Sequence, residues 1–129
     1  MRRRPDVLTE KVESFLVFHH RVIGDFRRSL ANAGHFIGLA GKAMEREPDN
    51  TIHLINQIRE IGLLSHLEDQ FHEFEQMAAM LSHMPGGIDN DELREGIDTI
   101  KNDYEVLLGQ AEEQAEKLAE MLNLLEHPH

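Results

Sequence analysis

"TIHLINQIREIGLLSHLEDQFHEFEQMAAMLSHM", residues Thr51 to Met84, decides the fold of this 129-residue chain. At helical spacing it carries two seams. The first, Leu54, Ile58, Ile61, Ser65, Glu68, His72, Glu75 and Ala79, is apolar early and polar late. The second, His53, Gln57, Glu60, Leu64, Leu67, Phe71, Phe74, Ala78 and Leu81, is the reverse. A strand would alternate with a period of two, and neither seam does. The stretch therefore predicts a helix over about residues 51–84, with a core face that swings around its axis near residue 62.

Turn residues bound this helix on both sides. Pro48, Asp49 and Asn50 precede it, and Pro85, Gly86 and Gly87 follow. Before them, a helix over about residues 6–46 carries Leu8, Val12, Phe15, His19, Val22, Phe26, Leu30, Ala33, Ile37, Ala40 and Met44. Its steps of three and four alternate except for an extra four from Phe26 to Leu30. A third helix, about 91–126, runs from Leu93 through Ile100, Tyr104, Leu107 and Leu118 to Leu125, with its own extra four around Ala111. Such a step locally unwinds a heptad seam. With tight connections, the three phase changes fall within about two turns of one another, as side-by-side packing requires.

The fold class expected is all-α: one domain over residues 1–129, an elongated antiparallel three-helix bundle with coiled-coil-like seams, roughly 50–60 Å long. Gly24, Gly34, Gly38 and Gly41 each cost roughly 1 kcal/mol against alanine inside a helix. A break near Gly34 would give a four-helix up-down bundle instead.

Composition narrows the function. The net charge of −11 argues against nucleic acid, which requires a concentrated basic surface; the basic cluster is Arg2 to Arg4, at the terminus. Cations or a basic protein surface match the charge better. The absence of cysteine excludes thiolate metal sites, disulfides and thiol nucleophiles. No apolar run approaches the roughly 18 residues of a membrane span, and "MRRRPDV" leads into an amphipathic pattern unlike a signal peptide. A cytoplasmic protein without membrane contact is expected.

Nine histidines raise the question of a metal. No HExxH, GxGxxG, P-loop or GxSxG motif is present, and the Glu-x-x-His spacing occurs only at the terminus, in Glu126 and His129. Within "HLEDQFHEFEQ", His66 and His72 point about 120° apart on a helix and flank the apolar strip of Leu67, Phe71 and Phe74. The tight-hairpin level places His19 near Ala78, within about a turn of Glu75. His19, Glu68, His72 and Glu75 could thus converge on a divalent transition metal such as Zn, Fe or Mn. The competing reading makes His19 a core histidine bonded to Glu75, with the rest solvated and no cofactor. The same residues would also suit pH sensing.

"FHHRV" (18–22) and "LSHLEDQFHEFE" (64–75) resemble the histidine-bearing helices of hemerythrin-like bundles. The resemblance implies His20 and His66 as metal ligands. It departs at Gln70, where that pattern has Glu, and in "IKNDYEVLLGQ", where a last histidine pair is lacking.

A different surface favours contact with protein. Ala31, Gly34, Gly38 and Gly41 form a small-residue stripe, open to close approach by the second helix or by another subunit. Ile52, Leu54, Ile55, Ile58, Ile61, Leu63 and Leu64 wrap nearly the whole circumference of the second helix, more than a surface helix should. Gly34, Gly38, Gly41, Ile52, Ile55 and Leu63 are the expected partner-binding residues. No nucleophile–base–orienter set can be assembled, and a slender bundle offers no evident substrate pocket. The leading expectation is a non-enzymatic acidic bundle acting through protein–protein interaction, as a homo-oligomer. The alternative is the histidine/carboxylate metal-binding or metal-sensing bundle.

Overall fold

A computed structural model of the chain describes residues 6–127. Helix α1, Val7–Ala43, starts where the Asp6 carboxylate accepts a hydrogen bond from the Leu8 amide at 3.0 Å. It runs unbroken through Gly24, Gly34, Gly38 and Gly41. The four-helix alternative with a break near Gly34 is therefore not what forms. Burial of Ala33, Ile37 and Ala40 on the seam keeps the helix intact across its glycines.

The interruption lies in the middle rod instead. Helix α2, Pro48–Ile61, and helix α3, Leu63–His83, meet at Gly62, whose φ of +66° is left-handed. Its amide donates to the Arg59 carbonyl at 3.1 Å, and its own carbonyl accepts from His66 at 3.0 Å. One helix ends and the next begins on a single residue. The swing of the core face near residue 62 is thus made by a break, and glycine adopts that conformation without the Cβ penalty.

Helix α4, Asp91–Glu126, is capped by Asn90, whose side chain accepts from the Leu93 amide at 2.9 Å. Asp91 and Glu92 sit in its first turn, where negative charge suits the helix dipole. Before it, the turn leaves no room at Gly87: a Cβ there would lie 2.1 Å from the Leu81 carbonyl oxygen.

The rods run up, down and up. His19 bonds Tyr104 and Leu30 bonds Gln114, pairs 85 and 84 residues apart. A near-constant offset means that α1 and α4 are parallel, and the α2–α3 rod, which contacts both, returns between them. The result is an all-α three-helix bundle. At about 1.5 Å per residue α1 is roughly 55 Å long. Gly96 sets the spacing of α1 and α4 at one point, since a Cβ there would lie 2.3 Å from Leu16.

One displacement matters for the site. Because α1 stops at Ala43 and α2 starts at Pro48, the first hairpin closes earlier than the spacing predicted. The level of α3 against α1 slips accordingly. Phe74, rather than Ala78 or Glu75, lies across from His19, with ring centroids 5.1 Å apart.

Two core clusters result. Phe15, His19, Phe74 and Tyr104 centre the larger, between α1, α3 and the first half of α4. Ile37, Ala40, Ile55, Ile58, Leu118 and Met121 form the smaller, between α2 and the last parts of α1 and α4. At the phase change Ile23 is fully buried, whereas Val22 and Phe26, assigned to the seam by spacing, are half-buried. Among the described residues no helix is long and apolar enough to cross a membrane.

Candidate functional site

His19 is a buried histidine, as its place on the seam implies, with a different partner from the one expected. Its Nδ1 lies 2.6 Å from the Tyr104 hydroxyl, and Phe15, Phe18 and Phe74 surround the ring with centroids 4.9 to 5.1 Å away. Burial pushes its pKa down from 6.5 to about 4, so the ring is neutral at physiological pH. Tyr104 is pushed up, first by burial and then by the negative charge of Glu73. The face that α3 buries explains the exchange of partners: Leu67, Phe74, Ala78 and Leu81 turn inward, and Glu75, Glu68 and His72 are left solvent-exposed. The structure does not bring His19, Glu68, His72 and Glu75 together. His20 and His66 are also exposed. Among the described residues no three histidine or carboxylate side chains form a group that could hold a metal.

The expected partner surface is divided by the packing. Gly34, Gly38 and Gly41 are exposed on α1, and they do not face α2. A Cβ at Gly34 would meet Gln114 of α4 at 3.4 Å, whereas Gly38 and Gly41 meet nothing within 4 Å. Gln114 uses this room to donate to the Leu30 carbonyl at 2.8 Å. Ile55 is fully buried in the smaller core, so it is withdrawn from any partner. Ile52 and Leu63 are half-buried, Leu63 packing against the larger core.

A more developed surface lies between α1 and α3. Here a groove of about 650 Å³ has buried Phe15, His19 and Leu81 at its floor and Phe18, Met77, Met80 and Met84 along its walls. Phe18, Met77 and Met80 are 49, 42 and 63% exposed, far more than apolar side chains so close to a core need to be. Ser14, Glu10, Lys11 and Glu73 complete the rim. The groove continues toward Gly62 as a second hollow of about 470 Å³, lined by Val22, Asp25, Leu63, His66, Asp69 and Gln70; Glu73 borders both. The second half differs in character. Asp69 and Glu73 are exposed, Asp25 is engaged by Arg28 on its own helix, and the Gln70 side-chain oxygen is buried without a hydrogen-bond partner among the described residues.

Methionine is unbranched and polarizable, so a wall of Met77, Met80 and Met84 can repack around apolar surfaces of varied shape. Sequence reasoning missed this feature. The signal was the spacing of Met77, Met80 and Met84, which repeats at three and four on one flank of the seam of Phe74, Ala78 and Leu81. No protein-family model matches the chain, and no curated protein or solved structure was found to match it.

Proposed function

We propose that this chain is a non-enzymatic acidic helical bundle that acts through protein contact, receiving the apolar face of a helix in the groove between α1 and α3. The observation that carries this reading is the exposure of Phe18, Met77 and Met80 around a single groove whose floor belongs to the core. Exposed apolar side chains gathered in one place mark interaction surfaces, and helix-in-groove docking is a recurrent way of covering them. A suitable test is a labelled, uncharged helical peptide of about 18 residues with leucines at helical spacing, followed by fluorescence anisotropy. Wild-type protein binds it, and Met77→Glu/Met80→Glu does not. Because both positions are exposed, the double variant keeps its stability within about 1 kcal/mol. Equal binding by wild type and variant contradicts the reading.

Self-association is the second reading, favoured by the open space at Gly38 and Gly41. Each glycine costs α1 roughly 1 kcal/mol, and among the described residues no contact uses the absence of a side chain there. A second copy approaching this face would use it. Gly38→Leu then lowers the oligomeric mass measured by sedimentation, and unchanged mass with unchanged stability contradicts the assignment.

A further inference from the structure

We infer that the occupant of the α1/α3 groove is a basic amphipathic helix, with its apolar half on the methionine wall and its lysines and arginines over Asp69 and Glu73. This inference rests on the docking reading above and adds the chemistry of the partner. The groove is divided along its length. At the methionine end the rim charges, Glu10 and Lys11, oppose one another, and the lining is apolar. Toward Gly62 the formal charges are Asp25, Asp69 and Glu73, beside His66.

Among the described residues, Asp69 and Glu73 take part in no ion pair, while Asp25 is matched by Arg28. Asp69 and Glu73 stand one turn apart on the same helix, a like-charge pair that weakens α3 slightly on its own. Lysine and arginine on a partner supply the missing charge. A second copy of this chain is a poor match, since each copy carries a net charge of −11 and like charges would face each other. The same net charge speeds the approach of a cationic helix. Between Leu63 and Met84 the groove extends about 30 Å, the length of a helix of about 20 residues.

The test uses two labelled peptides of about 20 residues that share one leucine face. One carries lysines on the polar positions of one half, and the other carries glutamates there. Anisotropy is measured with the full chain at low and high salt. The lysine peptide binds at least about tenfold more tightly than the glutamate peptide, and high salt narrows the gap. Asp69→Asn/Glu73→Gln weakens the lysine peptide about tenfold, whereas Glu112→Gln/Glu116→Gln on α4 changes its affinity by less than about twofold.

Equal loss from both pairs of substitutions means that the overall field of an acidic protein attracts the peptide, and overturns the assignment to the groove. Equal binding of the two peptides, both lost in Met77→Glu/Met80→Glu, overturns the inference of a basic partner and leaves the docking reading intact. If neither peptide binds wild type, or the methionine variant binds as well as wild type, the docking reading falls and takes the inference with it.

Discussion

The two ends of this bundle are built from the same three rods by different means. Around His19 the interior is aromatic: Phe15, Phe74 and Tyr104 pack about a neutral imidazole, and their outer edge opens into the methionine groove. Around Ile55 the interior is aliphatic and thinner, alanine fills a seam position at Ala40, and the outer face of α1 is bare at Gly38 and Gly41. Gly62 separates the ends and lets α2 and α3 each present their own apolar face. A single left-handed residue thus frees a long hairpin from keeping one core face throughout. One end then has an aromatic core with an open groove beside it, and the other an aliphatic core.

The largest expected effect that distinguishes the ends is Tyr104→Ala. Loss of a fully buried ring and of the His19 bond costs about 4 kcal/mol by urea denaturation. Ile58→Ala in the smaller core, at the margin of burial, costs about 2 kcal/mol. Equal costs would erase the distinction.

The pH dependence of stability is the next effect. The pKa of His19 is lowered by folding, so the unfolded chain takes up the proton first. The stabilisation is complete above pH 6.5 and is lost as pH falls toward about 4, where the loss reaches about 3 kcal/mol. The pKa of Tyr104 is raised, so its contribution is complete below pH 10 and lost above it. Urea titrations across pH check both limbs. In His19→Gln the part of the acid slope due to this residue disappears, and an unchanged slope would assign it elsewhere.

Two smaller effects concern the glycines. Gly62→Ala forces a Cβ into the left-handed region and costs about 1–2 kcal/mol. Gly38→Ala adds a side chain where nothing lies within 4 Å, and stabilises the isolated chain by up to about 1 kcal/mol in thermal melts. Destabilisation that depends on protein concentration would instead reveal a subunit contact at this face.

Much of this architecture was legible in the sequence. Periodicity marks which faces are buried, so the three rods, the burial of His19 and the change of phase near residue 62 could all be read. Periodicity does not report φ, so it could not say whether the phase changes by a gradual swing or by a break. Gly34 and Gly62 look equally able to interrupt a helix. The outcome depends on the core: α1 keeps one face past Gly34, with Ala33 and Ile37 both buried, and the middle rod changes face at Gly62. The proposed convergence of His19 with Glu75 failed for a narrower reason. The earlier hairpin brings the level of Glu75 closer to His19, but α3 turns the seam of Phe74 inward at that level and leaves Glu75 in solvent. The groove was hidden because Met77, Met80 and Met84 look, in sequence, like a widened core face. Only the packing shows that Met77 and Met80 are left uncovered, with Met84 half-buried beside them.

Methionine methyl NMR reports directly on whether a partner docks in the α1/α3 groove. With all methionine methyls labelled, the lysine-bearing peptide is titrated into the intact chain. With docking in the groove, Met77, Met80 and Met84 shift or broaden, while Met44 and Met121, which belong to the other core, stay in place. Perturbation of Met44 and Met121 with the groove methyls unmoved, or no perturbation at all, would contradict docking there.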